Sequence, residues 1–244
     1  MAYNRFPSMT GLVALGWWLV AVNIVAHGQA VDVTAKVVIH STSHGASAKK
    51  TSGASDVVVW LTPLQPQASS PARSSGPYRL LQREKQFSPH LLVVPRGSSV
   101  EFPNVDPFFH NVFSLFNGKR FDLGLYESGT SRSVKFDREG VSYIFCNIHP
   151  EMGAIVLALS TPYYAISGQD GGVVIRGTPQ GNYRMEVWSE QARASSSSYP
   201  RIVQVSASGA NLGEIEMEAV MSFMTDHKNK FGEDYRPPPA GTPY

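Results

Sequence analysis

Short runs of alternating apolar and polar residues, rich in Val and Ile, recur along most of this chain. Clear examples are residues 32–40, 56–62, 131–136 and 141–145, which are bounded by turn-forming Gly, Pro, Ser or Asn. Such a run predicts a β-strand, because successive side chains of a strand point to opposite faces of a sheet. No helical period of any length follows the first thirty residues, so the pattern predicts an all-β protein.

The first thirty residues have a different pattern. Arg5 is followed by an apolar run at 11–26, and the small residues Gly28 and Ala30 come next. A basic start, a short apolar run and small residues at −3 and −1 are typical of a secretory signal peptide. We therefore predict a signal peptide over 1–30, cleavage near Ala30 and export to the periplasm or cell surface, with no membrane span left. The alternative is an uncleaved anchor, but this run is shorter than the roughly 20 residues a span needs.

The rest of the chain divides by composition. We predict a first β-sandwich over 31–160, interrupted by a Pro/Ser-rich surface insertion at about 63–86, and a second, small β-sandwich over 161–221. The polar, Pro-rich tail over 222–244 predicts an extended or disordered segment. The strands expected at 32–62 fit either sandwich on the sequence alone.

Charge and cysteine content narrow the class of protein. The formal net charge is +2, and Lys and Arg are not concentrated in one stretch. Nucleic-acid binders usually concentrate basic residues, so we expect no nucleic-acid partner. Cys146 is the only cysteine of the chain. It cannot form an internal disulfide, so in an exported protein four roles are open to it: a disulfide between chains, a free reactive thiol, a buried core residue or a metal ligand.

A candidate set of metal ligands surrounds this cysteine. His110, Cys146, His149 and Met152 follow the order His…Cys-x-x-His-x-x-Met. Two imidazoles, a thiolate and a weak axial thioether are the donors of a blue-copper site. The predicted elements explain how they meet, because Cys146 ends one strand and Met152 precedes the next, while His110 begins a distant strand. Glu151 as an oxygen donor in place of Met152 is the open alternative.

Further motifs precede and surround these donors. They are Phe87-Ser-Pro before an aliphatic strand, Gly97 before Val100-Glu-Phe, Asn104-Val-Asp before His110-Asn111, and Tyr143-Ile-Phe-Cys146 before the loop. With them, residues 87–159 resemble a cupredoxin of the plastocyanin/amicyanin type. The resemblance implies a cupredoxin-like Greek-key β-sandwich that binds one type 1 copper. It also implies a buried His110, an exposed His149 through which electrons pass, and an Asn111 that ties the ligand loop in place.

A second resemblance covers the segment from Tyr164 to Trp188. Its Asp-Gly turn, Pro-x-Gly-x-Tyr motif and Val-Trp pair are similar to those of carboxypeptidase-regulatory or transthyretin-like β-sandwiches. The whole arrangement resembles bacterial exported proteins that join a plastocyanin-like domain to such a module. The module implies no catalytic residue.

Together the resemblances imply an exported one-electron carrier rather than an enzyme. Its partners would be redox proteins such as a c-type cytochrome or a periplasmic dehydrogenase. The alternatives are a copper-binding or copper-delivery protein without a redox circuit, and a non-redox cell-surface adhesion module. The sequence contains no nucleophile elbow, phosphate-binding loop or zinc-protease motif, and no His-x-His pairs of a multicopper oxidase.

The remaining polar candidates receive structural roles. His90 follows a proline in the strand before the site and is expected to be structural. Asp106, Asp122 and Glu127 are interpreted as turn or surface acids rather than as functional groups.

Overall fold

The computed structural model describes Met1 and residues 30–41, 50–52, 54–66, 76–115, 118–194, 199–222 and 227–235. Every regular element in these ranges is a β-strand, so the all-β prediction is confirmed. Over the same residues, no helix is long and apolar enough to cross a membrane. Apart from its two ends, the predicted signal peptide lies outside the described residues.

The described residues form nineteen strands. The first nine are β1 (Val31–Ser41), β2 (Lys50–Ser52), β3 (Val58–Pro63), β4 (Tyr78–Arg79), β5 (Leu81–Arg83), β6 (Gln86–Ser88), β7 (Leu91–Pro95), β8 (Ser99–Pro103) and β9 (His110–Ser114). The others are β10 (Phe121–Tyr126), β11 (Ser131–Lys135), β12 (Gly140–Cys146), β13 (Gly153–Leu159), β14 (Tyr164–Ile166), β15 (Gly172–Thr178), β16 (Gly181–Trp188), β17 (Ala192–Ala194), β18 (Arg201–Val205) and β19 (Ala210–Ala219).

Strands from both ends of the chain form one sandwich, which we call the flanking sandwich (β1–β3 and β14–β19). One of its sheets has the order β15-β1-β19-β17, with β2 beside β1, and the other has the order β14-β3-β16-β18. Strand β1 is antiparallel to β15 and parallel to β19. Its alternating pattern turns one apolar face inward, and the core between the sheets includes Val33, Val37, Leu61, Ile175, Tyr183 and Ile215.

The strands between them form a second sandwich, which we call the inserted sandwich (β4–β13). Its larger sheet has the order β10-β9-β12-β13-β7, and a smaller sheet has the order β11-β8-β4. All five residues of β9 are buried, and this strand lies between β10 and β12 in the larger sheet. The core includes Leu80, Phe102, Val112, Phe136, Ile144 and Val156. Burial of each such side chain contributes about 1.5–3 kcal/mol to stability.

The predicted boundary of the first sandwich at residue 31 is wrong. Strand β1 pairs with β15 and β19, and β3 pairs with β14 and β16, so both belong to the flanking sandwich. The reason is that their apolar faces complete a core with strands far along the chain. The inserted sandwich therefore runs from Tyr78 to Leu159 and interrupts the flanking sandwich between β3 and β14.

A small apolar cluster joins the two sandwiches. Val58 of the flanking sandwich is fully buried against Val93, Leu157 and Leu159 of the inserted one. Partly buried residues from both sides pack around this cluster, including Trp60, Leu91, Val141, Tyr164 and Trp188. The two sandwiches are therefore in direct contact through side chains that exclude water.

The prediction of a surface insertion at 63–86 is also partly wrong. Residues 67–75 lie outside the described residues, but β4 and β5 fall inside the predicted insertion. Leu80 and Gln82 are both 0% exposed, and the Gln82 side-chain amide donates to the carbonyl of Phe102 at 3.1 Å. This segment adds a strand and a hairpin to the inserted sandwich, because Leu80 packs in its core and the buried amide of Gln82 has a hydrogen-bond partner there.

The predicted tail is only partly described, since residues 223–226 and 236–244 lie outside the described residues. Residues 227–235, which we call the strap, return to the inserted sandwich. The strap contacts the end of β12, where the Tyr235 phenol donates to the carbonyl of Cys146 at 2.8 Å. The expectation of an extended or disordered segment is therefore wrong for the strap.

Candidate metal centre

Two paired strands of the larger sheet of the inserted sandwich carry the first two predicted donors. His110 is the first residue of β9, and Cys146 is the last residue of β12. Antiparallel pairing places Cys146 opposite Val112, so His110 lies two residues further along and on the same face. Both side chains are 0% exposed. Two donors separated by 36 residues in the sequence are thus brought together by the sheet.

The other two predicted donors lie in the tight loop between β12 and β13. The Met152 amide donates to the carbonyl of His149 at 3.1 Å, and the Cys146 amide donates to the carbonyl of Met152 at 3.2 Å. The Asn147 amide donates to the carbonyl of Asn111 at 3.0 Å. These bonds close the loop and anchor it to β9, so the loop histidine faces the strand histidine.

Three donors meet in a compact triangle. The Nδ1 atoms of His110 and His149 are 3.1 Å apart, and Cys146 Sγ lies 3.7 and 3.5 Å from them, respectively. Among the described residues, this is the only group of three or more His, Cys, Asp or Glu ligand atoms that lie within 4.8 Å of one another. One metal ion bound by all three donors, at metal–nitrogen and metal–sulfur distances of about 2.0 and 2.3 Å, would place them about 3.5 Å apart. The triangle therefore fits one metal ion.

Met152 and Glu151 were the two candidates for an additional donor. Met152 is 0% exposed and belongs to the same buried cluster as Cys146. Glu151 is exposed at the turn of the loop. The position of Met152 suits a donor from the buried side, and its role as the axial ligand stays a prediction.

Burial keeps the three donors uncharged in the metal-free protein. It raises the pKa of the Cys146 thiol. Burial, followed by the nearby charge of His110, lowers the pKa of His149 to about 4. Burial also lowers the pKa of His110, against an opposing hydrogen bond with Asp106. Neutral imidazoles have a free lone pair, so both can bind a cation at neutral pH, and metal binding displaces the thiol proton.

The expectation that His149 is exposed is wrong, because this residue is only 5% exposed. The ring of Phe108 packs beside both histidines, with centroids 5.6 Å from His149 and 5.3 Å from His110. The exposed side chains are instead Phe109 and Ile148, the chain neighbours of the two histidines, at 50% and 42%. A sequence pattern does not reveal which side chain folds over a loop.

Asn111 connects the ligand loop to the neighbouring strands. Its carbonyl accepts the bond from Asn147, and its side-chain amide donates to Asp122 at 2.7 Å. Asp122 also accepts a hydrogen bond from the Lys230 ammonium of the strap at 2.8 Å. Asn111 thus bonds to the loop through its carbonyl and to β10 through its side chain, and its role in holding the ligand loop stays a prediction.

The interpretation of Asp106 as a surface or turn acid missed its contact with a predicted ligand. This residue is 4% exposed, and its Oδ2 lies 2.8 Å from His110 Nε2. The signal in the sequence is its position four residues before His110 within a turn flanked by prolines, which folds the chain back onto the ligand. Glu127, by contrast, is exposed as expected.

His90 lies outside the donor triangle. Its Nδ1 is 3.1 Å from the carbonyl of Gly153, and its Nε2 is 2.6 Å from Glu190 of the flanking sandwich. These contacts link the two sandwiches, in agreement with the structural role expected for this histidine.

Comparisons with known proteins give structural neighbours only: no family model matches the chain, and no curated protein gives a significant match. A purple cupredoxin from Nitrosopumilus maritimus is 26% identical, over 34% of this chain and 99% of that one, with a TM-score of 0.31. The Cu-containing nitrite reductase from Thermus scotoductus SA-01 is 25% identical, over 39% of this chain and 25% of that one, with a TM-score of 0.33.

A mutant amicyanin in its reduced state is 19% identical, over 41% of this chain and 99% of that one, with a TM-score of 0.32. Solved cupredoxins are thus among the structural neighbours of this chain, each matching well under half of it. The likeness of Tyr164–Trp188 to transthyretin-like modules stays a prediction.

Proposed function

We propose that this protein is an exported type 1 copper protein that carries single electrons between redox partners. The observation that supports this function is the buried triangle of His110, Cys146 and His149, whose donor atoms are 3.1–3.7 Å apart. Two neutral imidazoles and one thiol in a buried site form a donor set that suits both Cu(I) and Cu(II).

Copper, when bound, supplies a one-electron change between Cu(I) and Cu(II). The Nδ1 atoms of His110 and His149 and the Sγ of Cys146 would hold it, with the Met152 thioether as a further, weak donor. The chain itself keeps these donors in place, since two come from paired strands and the others from a loop closed by backbone hydrogen bonds. A donor set that does not rearrange favours fast electron transfer.

Electrons would enter and leave beside the ligand loop. Phe109 and Ile148 are exposed there, next in sequence to the two ligand histidines. Exposed apolar side chains over a redox site suit a small interface that forms and dissociates quickly. This supports a redox protein as the partner, such as a c-type cytochrome or a periplasmic dehydrogenase, in the compartment that the signal peptide predicts.

The structure gives less support to the two alternatives. A copper-delivery protein has to transfer its metal to another protein, which an accessible ligand would favour, whereas all three donors are buried. An adhesion module gives no reason for three donors to converge at one point. We therefore retain the electron carrier as the proposed function.

The test is the visible absorption and EPR spectrum of the mature protein with one equivalent of Cu(II). An intense blue band with narrow copper hyperfine splitting is the expected result. A pale, ordinary Cu(II) spectrum would contradict the type 1 assignment and favour copper delivery, and no binding would favour the adhesion module.

A further inference from the structure

Asp106 and His110 form a buried pair on the side of the imidazole that faces away from the other donors. Asp106 Oδ2 lies 2.8 Å from His110 Nε2, whereas His110 Nδ1 lies 3.1 Å from His149 Nδ1. The side chains of the pair are 6% and 0% exposed. One ring nitrogen thus faces a carboxylate and the other faces the donor triangle, and both contacts are shielded from water.

Backbone groups hold the carboxylate in place. The Glu84 amide donates to Asp106 Oδ1 at 2.6 Å, and the Lys85 amide donates to Oδ2 at 3.1 Å. Both turn residues have a positive φ, 54° and 55°, a conformation that residues other than glycine rarely adopt. The Asp106 amide in turn donates to Asn104 Oδ1 at 3.0 Å. The turn thus adopts an unfavourable conformation that directs two amides at one carboxylate.

Two backbone amides donate to this carboxylate, one to each oxygen, and such donors stabilise its ionised form. An ionised carboxylate can only accept hydrogen bonds, so its partner nitrogen must carry a proton.

This contact selects one tautomer of His110. With the proton on Nε2, the lone pair of Nδ1 points into the donor triangle, where a cation can use it. The other tautomer would place a proton on Nδ1 and leave two acceptors, Nε2 and the carboxylate, facing each other. A carboxylate behind a ligand histidine also raises the basicity of the ligand.

The charge of the carboxylate also affects the reduction potential of bound copper. Attraction between a fixed negative charge and a cation grows with the charge of the cation, and burial weakens the screening by water. Cu(II) therefore gains more from a nearby anion than Cu(I) does, which disfavours reduction.

We propose that Asp106 is a positioning residue that holds His110 in the Nε2-protonated tautomer and lowers the reduction potential of the bound copper. The second half of this inference rests on the proposed function, because it requires copper in the site. The first half concerns the metal-free protein as well.

The first test compares reduction potentials. Asp106→Asn removes the charge but can place an N–H donor opposite the Glu84 amide, so Asp106→Ser serves as a second variant. Asp170→Asn, which removes an exposed carboxylate of the flanking sandwich, is the matched control. We expect both Asp106 variants to stay blue and to favour Cu(I) at least tenfold more than the wild type, a rise of about 59 mV. Unchanged potentials in the Asp106 variants would overturn the proposal.

The second test needs no substitution. Nitrogen-15 NMR of the metal-free wild-type protein reports which ring nitrogen of His110 carries the proton, and we expect Nε2. A proton on Nδ1 would overturn the positioning role. If the wild-type protein forms no blue site, the proposed function and the effect on the potential both fail, while the NMR result still decides the tautomer.

Discussion

The ring of His227 lies flat against the ring of Phe145, with centroids 3.9 Å and planes 17° apart. Phe145 directly precedes the ligand Cys146, and the Tyr235 phenol bonds to the carbonyl of that ligand and to His227 Nε2. The Lys230 amide donates to Oδ1 of Asn147, the residue that follows Cys146, at 2.9 Å. The strap therefore clamps the segment of β12 that carries the thiol.

This clamp predicts that the strap stabilises the inserted sandwich. Tyr235→Phe removes the hydroxyl that donates to Cys146, and a lost hydrogen bond of this kind costs about 0.5–1.5 kcal/mol. We expect a lower urea midpoint for the metal-free variant, measured by far-ultraviolet circular dichroism. Phe231→Ser on the same strap is the control, because Phe231 is 70% exposed. Equal midpoints for wild type and Tyr235→Phe would refute the clamp.

The predicted role of Cys146 as a sulfur ligand implies that the copper-loaded protein loses its blue colour when this residue is replaced. Cys146→Ser replaces soft sulfur by hard oxygen, so the intense blue charge-transfer band should disappear. The β-sheet signal in the far-ultraviolet circular dichroism spectrum should remain, because serine is similar in size. Absorption and circular dichroism on the same sample check both expectations. A retained blue band would remove Cys146 from the ligand set.

The predicted role of Met152 as a weak ligand implies that replacing it changes the reduction potential of the bound copper and leaves the blue colour. Met152→Leu conserves volume in a buried position and should cost under about 1.5 kcal/mol of stability. Loss of a weak donor to Cu(II) should raise the reduction potential while the blue band persists. Met185→Leu, a buried methionine of the flanking sandwich, is the matched control. Identical potentials for wild type and Met152→Leu would show that this thioether is not a ligand.

The contact between His90 and Glu190 predicts a pH-dependent link between the two sandwiches. The hydrogen bond with Glu190 raises the pKa of His90, against burial. Burial raises the pKa of Glu190, but hydrogen bonds from His90 and Ser222 lower it overall. Both nitrogens of His90 face acceptors, the second being the carbonyl of Gly153, which favours the charged ring. Asp56 adds a further attraction for the charged ring.

The pH dependence of stability follows from the directions of these two pKa shifts. A raised histidine pKa stabilises the fold fully below the unfolded value of 6.5, and the effect is lost as pH rises through the folded value. A lowered carboxyl pKa stabilises it above 4.5, and that effect is lost as pH falls through the folded value. The contribution of the pair is therefore largest between these unfolded values.

We expect Glu190→Gln to lower the urea midpoint of the metal-free protein at about pH 6 and to change it little at about pH 9. The effect should be small, under about 1 kcal/mol, because the His90 side chain is half exposed and screened by water. Glu101→Gln, which breaks an exposed pair with Arg79, is the control and should act equally at both pH values. If Glu190→Gln lowered the urea midpoint equally at both pH values, a pH-dependent contact between His90 and Glu190 would be contradicted.

The order of residues along the sequence was sufficient to predict the candidate ligand set. The order of His110, Cys146, His149 and Met152, with Cys146 ending a strand and the last two on the short loop that follows it, is visible in the sequence because a short loop keeps its donors close in any fold. The contact of Asp106 was missed because its partner depends on how a turn folds back. The burial of His149 was missed because it depends on the ring of Phe108.

The sequence by itself determined that this protein is all-β, since alternation is a local property of each strand, and it determined which residues form the candidate ligand set. Only the tertiary structure decided that β1 and β3 join strands more than 100 residues away, that one sandwich is inserted into the other, and that the strap returns to β12. Alternation reveals that a strand has an apolar face, whereas its partner is chosen by the core that this face completes. That choice depends on the whole chain.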